Sequence, residues 1–432
     1  MPQTTLPQAP QLVTESKVMT TQISPPESAT ATSRWAAEPI PATRAGWVER
    51  ARQAAGLVAA TAFERDTTAA APFAEVQWIK DAGLVGLQGP KASGGGDADW
   101  ATVLDVVAEF AKVDGSIANV LGWHYAYFWL FRSFGTPEQR AKWEAEVTAD
   151  RQLISGIANF RDRPISAVDE GTTLLLNGSK QFNTGLPVSD RVFIGTALEG
   201  TEDVFFVYAN SRVPEIIYGE DWDTLGQRST ASGSATVSGL RAPWDDALGF
   251  AGKTFIPQPA NITPGLTSQT LMPTFYVSLA RGALDKAVDY IKNHGRAWLH
   301  SNYERAVDEP YVVDGIGQLQ SRLLAAEALV RDASEKVSAA LDAPNEITPE
   351  QRGELAVLLS AAKTVAVEVG IEVTTKLFEL TGGRSTARSF ELDRFFRDLR
   401  TQSLHDPVAQ KRIQVGSYLL RGEYPLAVDW YS

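Results

Sequence analysis

Apolar residues recur every three to four positions through the first part of the chain: Val48, Ala51, Ala55, Val58 and Ala59, then Phe73, Val76, Trp78 and Ile79, then Val103, Val106, Val107 and Phe110. That spacing predicts helices that each bury one face. Between residues 86 and 99, Pro90 and Gly94-Gly95-Gly96 supply turn chemistry that ends one helix, and Asp99 stands where it caps the next. After residue 150 the pattern changes to short apolar runs at 153–158, 172–176 with Asn177-Gly178 behind it, 192–197, 204–208, and 234–237 with Gly239 behind it. Short runs between turn residues predict strands of a small sandwich or barrel. Helical periodicity returns at 271–295, 313–341, 348–380 and 407–422, lengths that fit an antiparallel four-helix bundle.

The expected fold is therefore α+β and multidomain. A disordered tail, residues 1–45, precedes a helical domain at 46–150, a central antiparallel β sandwich or barrel at 151–264 and a C-terminal four-helix bundle at 265–432. The tail is rich in Pro, Thr, Ser, Gln and Ala and lacks the apolar stretch of a secretory signal. No window approaches about 18 uninterrupted apolar residues, so a membrane span is not expected and a cytoplasmic location is the default. No Gly-x-Gly-x-x-Gly follows any expected strand, which argues against a Rossmann dinucleotide site.

Composition narrows the chemistry. With 40 Lys and Arg against 52 Asp and Glu, the formal charge of −12 disfavours a nucleic-acid partner. The absence of Cys removes thiolate nucleophiles, disulfides and iron–sulfur clusters. The 4 histidines, His124, His294, His300 and His405, form no His-x-x-His or His-Glu-x-x-His pair, so no metal site is expected.

Several residues have two readings. His405 lies in Arg400-Thr401-Gln402-Ser403-Leu404-His405-Asp406-Pro407, either as a solvated loop imidazole or as a proton carrier. His124 sits in the aromatic run Trp123-His124-Tyr125-Ala126-Tyr127-Phe128, as a core histidine or a pocket residue. Arg384 and Ser385 belong to the Gly-rich turn Thr381-Gly382-Gly383-Arg384-Ser385, either a phosphate cradle or a helix cap. Phe182 and Trp222 either flank a planar ring or fill the core.

In their shared order along the chain, these segments resemble the acyl-CoA dehydrogenase superfamily. The closer likeness is to its flavin-dependent monooxygenase branch, the dibenzothiophene monooxygenase group. The markers are Asp114-Gly115-Ser116, Asn177-Gly178-Ser179-Lys180-Gln181-Phe182, Asp221-Trp222 before Leu225-Gly226-Gln227-Arg228, Asp393-Arg394-Phe395-Phe396-Arg397, and the segment from Arg400 to Pro407. The branch is suggested by His405-Asp406-Pro407, where many acyl-CoA dehydrogenases carry a Glu base after a Tyr and before a Gly.

The resemblance implies a helical, β-barrel, helical architecture, usually homotetrameric. It also implies the oxygenase component of a two-component flavin monooxygenase. A separate NAD(P)H-dependent flavin reductase would supply reduced FMN, with FAD as the alternative. With O2 this would form a C4a-hydroperoxyflavin that oxygenates a small apolar substrate at sulfur or nitrogen. An acyl-CoA dehydrogenase-like FAD oxidoreductase and a catalytically silent flavoprotein are the competing readings. Implied as catalytic are His405 and Thr184, and as flavin contacts Thr184, Phe182, Trp222, Arg296, Arg384 and Ser385, with Arg384 supplied by a neighbouring subunit. Asn119, Trp123, His124, Tyr127 and Asp406 are implied as substrate-pocket residues. Asn119, Trp123, Ile157 and Gln402 replace His, Tyr, Asn and His of the family pattern, so the flavin frame is kept while the pocket differs.

Overall fold

A computed structural model describes residues 34–35, 38–201 and 204–427. The expected tail lies outside the described residues up to position 33, but its last part is packed. Trp35 is buried, and Arg50 ties Glu38 and the Pro39 carbonyl to the first helix. Among the described residues no helix is long and apolar enough to cross a membrane.

The N-terminal helices are α1 (Arg44–Thr68), α2 (Phe73–Asp81), α3 (Trp100–Ala111), α4 (Gly115–Ser133) and α5 (Pro137–Ala149). Their starts follow from local chemistry. Asp99 accepts a hydrogen bond from the Thr102 amide to cap α3, and Asp114 caps α4 through the Ile117 amide. Thr136 and Gln139 form a reciprocal capping box ahead of α5.

The middle of the chain holds β1 (Ile154–Ile157), β2 (Ile165–Asp169), β3 (Thr173–Lys180), β4 (Arg191–Leu198), β5 (Val204–Asn210), β6 (Ile216–Tyr218) and β7 (Ala235–Pro243). They form one seven-stranded sheet. The sheet departs from the expected antiparallel barrel: it is mixed and curls into an open half-barrel. Both β1 and β2 run parallel to β4, pairing Ile154–Ile157 with residues 191–194 and then Ile165 to Ala167 with residues 196–198. The two strands are thus consecutive pieces along one flank of β4, interrupted by residues 158–164. The Asn177-Gly178 pair is not a turn either. β3 runs through it with a bulge, and the Asn177 side chain accepts from the Gly239 amide across the pair.

The C-terminal helices are α6 (Pro264–His294), α7 (Pro310–Leu341), α8 (Pro349–Thr381), α9 (Leu392–Gln402) and α10 (Val408–Arg421). α8 packs on α6, α7 and α10, and α6 also packs on α3 and α4. A single apolar core therefore runs from Trp47 and Val58 of α1 through Phe275 and Tyr276 of α6 to Leu377 and Leu399. A second core fills the curl of the sheet with Ile157, Leu176, Ile194, Val207 and Val237. The short helix α9 lies between the two layers, against α4, α6 and α8.

Candidate active site

A cleft of about 470 Å3 opens where α4, the 158–164 interruption, the turn after β3, the loop before β7 and the end of α9 converge. Its walls include Asn119, Trp123, Tyr127, Phe182, Thr184, Trp222 and His405, seven of the residues singled out from the sequence. A volume of this size, mostly apolar with a few convergent polar groups, is what a small-molecule site requires.

His405 reaches the cleft because α9 ends at Gln402, and Pro407, in extended backbone, precedes the start of α10. The ring is half-buried, with its centroid 5.7 Å from that of Trp123. Its Nδ1 lies 3.2 Å from Oδ1 of Asp406. Asp406 itself does not line the cleft; it is buried beneath His405. It accepts from Nζ of Lys363 on α8, and Nζ of Lys411 on α10 lies 3.1 Å from its second oxygen. Both lysines are fully buried.

Burial alone would raise the Asp406 carboxyl, but the hydrogen bond from His405 and the charges of Lys363 and Lys411 outweigh it and hold the group well below the usual carboxylate range. Lys363 is lowered to about 8, chiefly by burial, with Asp406 opposing. Burial also lowers His405, against the pull of Asp406, and the Lys363 and Arg161 charges push the same way. The imidazole is therefore neutral near pH 7. An ionised carboxylate only accepts, so Nδ1 carries the proton and Nε2 remains the acceptor of the ring.

Thr184 sits in the turn after β3, where Phe182 adopts a φ of 62° and Gly185 a φ of 71°. Its Oγ1 pairs with Oγ of Ser232 at 3.0 Å, and Ser232 donates to Oγ1 of Thr230 at 2.7 Å. Its carbonyl accepts from Ser155 on β1. Trp222 is fixed by its indole N–H donating to the Gln227 carbonyl, 2.8 Å away. Phe182, 65% exposed, meets the Trp222 ring edge-on with centroids 5.9 Å apart. The loop carrying Trp222 is pinned to α9: the Gly226 amide donates to Thr401 Oγ1, and the Gln227 amide donates to Oδ1 of Asp398 at 2.6 Å. Burial, partly offset by Arg394, raises Asp398 to about 7.

On the opposite wall Asn119 donates to Oε1 of Gln402 at 3.1 Å, and Gln402 donates to the Met272 sulfur. Oδ1 of Asn119 and Oε1 of Gln227 are buried and have no hydrogen-bond partner among the described residues.

Four sequence candidates lie away from the cleft. His124 is a core residue: its Nε2 bonds the Val85 carbonyl at 2.9 Å while Nδ1 accepts from the Ile154 amide, tying α4 to β1. Burial lowers it to about 4. Arg296 and Arg384 are exposed beyond the ends of α6 and α8, and Ser385 is buried in a turn, bonded to Thr381 and the Gly382 carbonyl. The cleft also contains Phe160, Arg161 and Ser232, with no motif to announce them, and Arg400 from the head of the His405 motif. Ser232 follows Ala231, which has a φ of 48°, and the adjacent Gly233 is the one available signal of a tight turn there.

The sequence and fold are shared with known proteins. Residues 47–150 match the N-terminal domain model of acyl-CoA dehydrogenase, and residues 272–410 match its C-terminal domain model. The dibenzothiophene monooxygenase of Mycolicibacterium goodii is 31% identical over 397 residues, covering 88% of this chain and 94% of that protein. The solved methanesulfinate monooxygenase of Pseudomonas fluorescens superposes with a TM-score of 0.85 at 33% identity, over 89% of this chain and 99% of that one. A complex of the Paenibacillus sp. A11-2 enzyme TdsC with FMN and indole gives a TM-score of 0.83 at 31% identity, again over 89% and 99%.

Proposed function

This chain belongs to the acyl-CoA dehydrogenase superfamily, in the branch of dibenzothiophene monooxygenase, and from that premise we infer that it is an FMN-dependent monooxygenase acting on a small, largely apolar substrate. The finer reading is the oxygenase component of a two-component system. A separate NAD(P)H-dependent reductase delivers the reduced flavin, and the substrate is oxygenated at sulfur or nitrogen. The chain works as a cytoplasmic homotetramer, with helical, β and helical domains divided near residues 150 and 264.

The carrying observation is the imidazole of His405 at the cleft, with Nδ1 3.2 Å from the carboxylate of Asp406, which is itself flanked by two buried lysines. The residues fit a flavin. Phe182 and Trp222 present aromatic surface to a planar ring, while the unpartnered Asn119 Oδ1 and Gln227 Oε1 are acceptors for donors of a bound molecule. Thr184 and Ser232 would hydrogen-bond the ring, and Arg296, together with Arg384 supplied by a neighbouring subunit, would hold the phosphate. When bound, reduced FMN supplies the electrons that activate O2. His405 then accepts or returns a proton at Nε2, while Asp406 keeps the ring in one tautomer. Trp123, Tyr127 and Phe160 exclude water, which favours transfer of oxygen to substrate over release of hydrogen peroxide.

The test is anaerobic titration with reduced FMN, followed by reaction with 18O2 and dibenzothiophene, indole or methanesulfinate. The expected result is binding of reduced FMN and one labelled oxygen in a product. Failure to bind reduced FMN, or bleaching of bound oxidised flavin by an acyl-CoA, would overturn the proposal.

A further inference from the structure

The chain as a whole carries a formal charge of −12, yet the cleft has the opposite sign. Its lining includes two arginines, Arg161 and Arg400, and no Asp or Glu. Arg161 belongs to the interruption between β1 and β2, and its Nη2 donates to the His405 carbonyl at 3.1 Å. That bond sets a guanidinium charge beside the imidazole.

Arg400 is on α9, where it can be compared with its neighbours. Arg394 pairs with Glu391 at 2.9 Å, and Arg397 pairs with Asp66 at 2.6 Å and Asp393 at 2.8 Å. Arg400, half-buried against the cleft, has no carboxylate partner among the described residues. A partly desolvated cation without a counter-ion gains most when a ligand supplies the missing charge. The guanidinium fork matches a group with two equivalent oxygens.

Building on the flavin-oxygenase reading of this cleft, we propose that its substrates carry one oxyanionic group, a sulfinate or carboxylate, which Arg161 and Arg400 bind while the apolar remainder lies against Trp123, Tyr127 and Phe160. The anionic end then lies toward His405, because Arg161 is held by the carbonyl of that residue. Such a substrate is apolar over most of its surface and is selected by its one charge.

The proposal is tested by calorimetry on the full chain without flavin, using benzenesulfinate and its uncharged analogue methyl phenyl sulfone. Benzenesulfinate should bind about 10- to 100-fold more tightly than the sulfone, and less tightly as salt is raised. Arg161→Gln and Arg400→Gln should each weaken benzenesulfinate about tenfold or more and leave sulfone binding unchanged. Equal affinity for the two compounds, or an anion affinity that neither substitution alters, would overturn it. Displacement of benzenesulfinate by FMN would also overturn it, since the arginines would then serve the cofactor phosphate. None of these measurements needs flavin turnover, so a failure of the oxygenase reading is seen separately in the 18O2 experiment.

Discussion

Nδ1 of His405 and Oδ1 of Asp406 lie 3.2 Å apart, although the two residues are adjacent in the chain and only the histidine reaches the cleft. The turn before Pro407 sends one side chain into the site and the next into a buried pair of lysines. The expected consequence is that the imidazole holds a single tautomer without a solvent-borne partner. His405→Ala should lower the oxygenation rate by roughly 10²–10⁴ and divert reducing equivalents to hydrogen peroxide, with reduced-flavin affinity nearly unchanged. The ratio of peroxide to oxygenated product per NADH consumed measures this, and normal coupling in the variant would refute the catalytic role.

Asp406→Asn should act through a different route. It leaves Lys363 and Lys411 buried without their anion, and breaking a buried pair in this way costs about 3–5 kcal/mol. Chemical denaturation should show that loss. A second change, Asp406→Glu, keeps the charge and should recover most of the stability while displacing His405, so that coupling still falls.

His124 sets a pH limit on folding. Its folded-state value of about 4 lies below the ordinary 6.5, so the unfolded chain takes up the proton first as pH falls. Its contribution is complete above pH 6.5 and is lost progressively toward pH 4, an effect of about 3 kcal/mol. Urea unfolding between pH 7 and pH 4.5 should show the decline, and His124→Gln, less stable at pH 7, should show a shallower one.

Arg384→Ala removes an exposed charge that contacts no part of the cleft within its own chain. If a neighbouring subunit's arginine holds the flavin phosphate, reduced-FMN affinity should fall about 10- to 100-fold, the value of a charged hydrogen bond, with thermal stability unaltered. Fluorescence titration reads this directly, and an unchanged affinity would remove Arg384 from the site.

Gly226 offers a structural test of the Trp222 loop. A Cβ there would lie 2.1 Å from the backbone of Arg397. Gly226→Ala must therefore push the loop off α9, losing the amide bonds to Thr401 and Asp398. Destabilisation of about 2 kcal/mol or more and weakened flavin binding should appear together.

What could be read in advance depended on periodicity. α6, α7, α8 and α10 were legible because long apolar stripes on polar helices leave an unambiguous signal. α9 was not, since at 11 residues it is too short for the spacing of Leu392, Phe395 and Leu399 to stand out as a separate element. The sheet was misjudged for a comparable reason: parallel pairing of β1 and β2 with β4 leaves no mark in strand length or turn chemistry. At the site, Thr184, Trp222 and His405 stood in recognisable motifs. Arg161 did not, and Arg400, though it heads the His405 motif, shows its place in the cleft only through segments far away in the chain.

The interruption between β1 and β2 separates two kinds of change. Both flanking registers with β4 are set by their own backbone pairs, while the Asn159 carbonyl accepts from Nζ of Lys180 and Asp162 accepts from the Gln181 amide, so the interruption also holds the end of β3. Asn159, Phe160 and Arg161 lie in that stretch and face the cleft, whereas Thr184 and Trp222 lie outside it. New substrate preferences can therefore be acquired by changing the side chains of Phe160 and Arg161, provided that Asn159 and Asp162 keep their hold on the segment leading to Phe182 and Thr184.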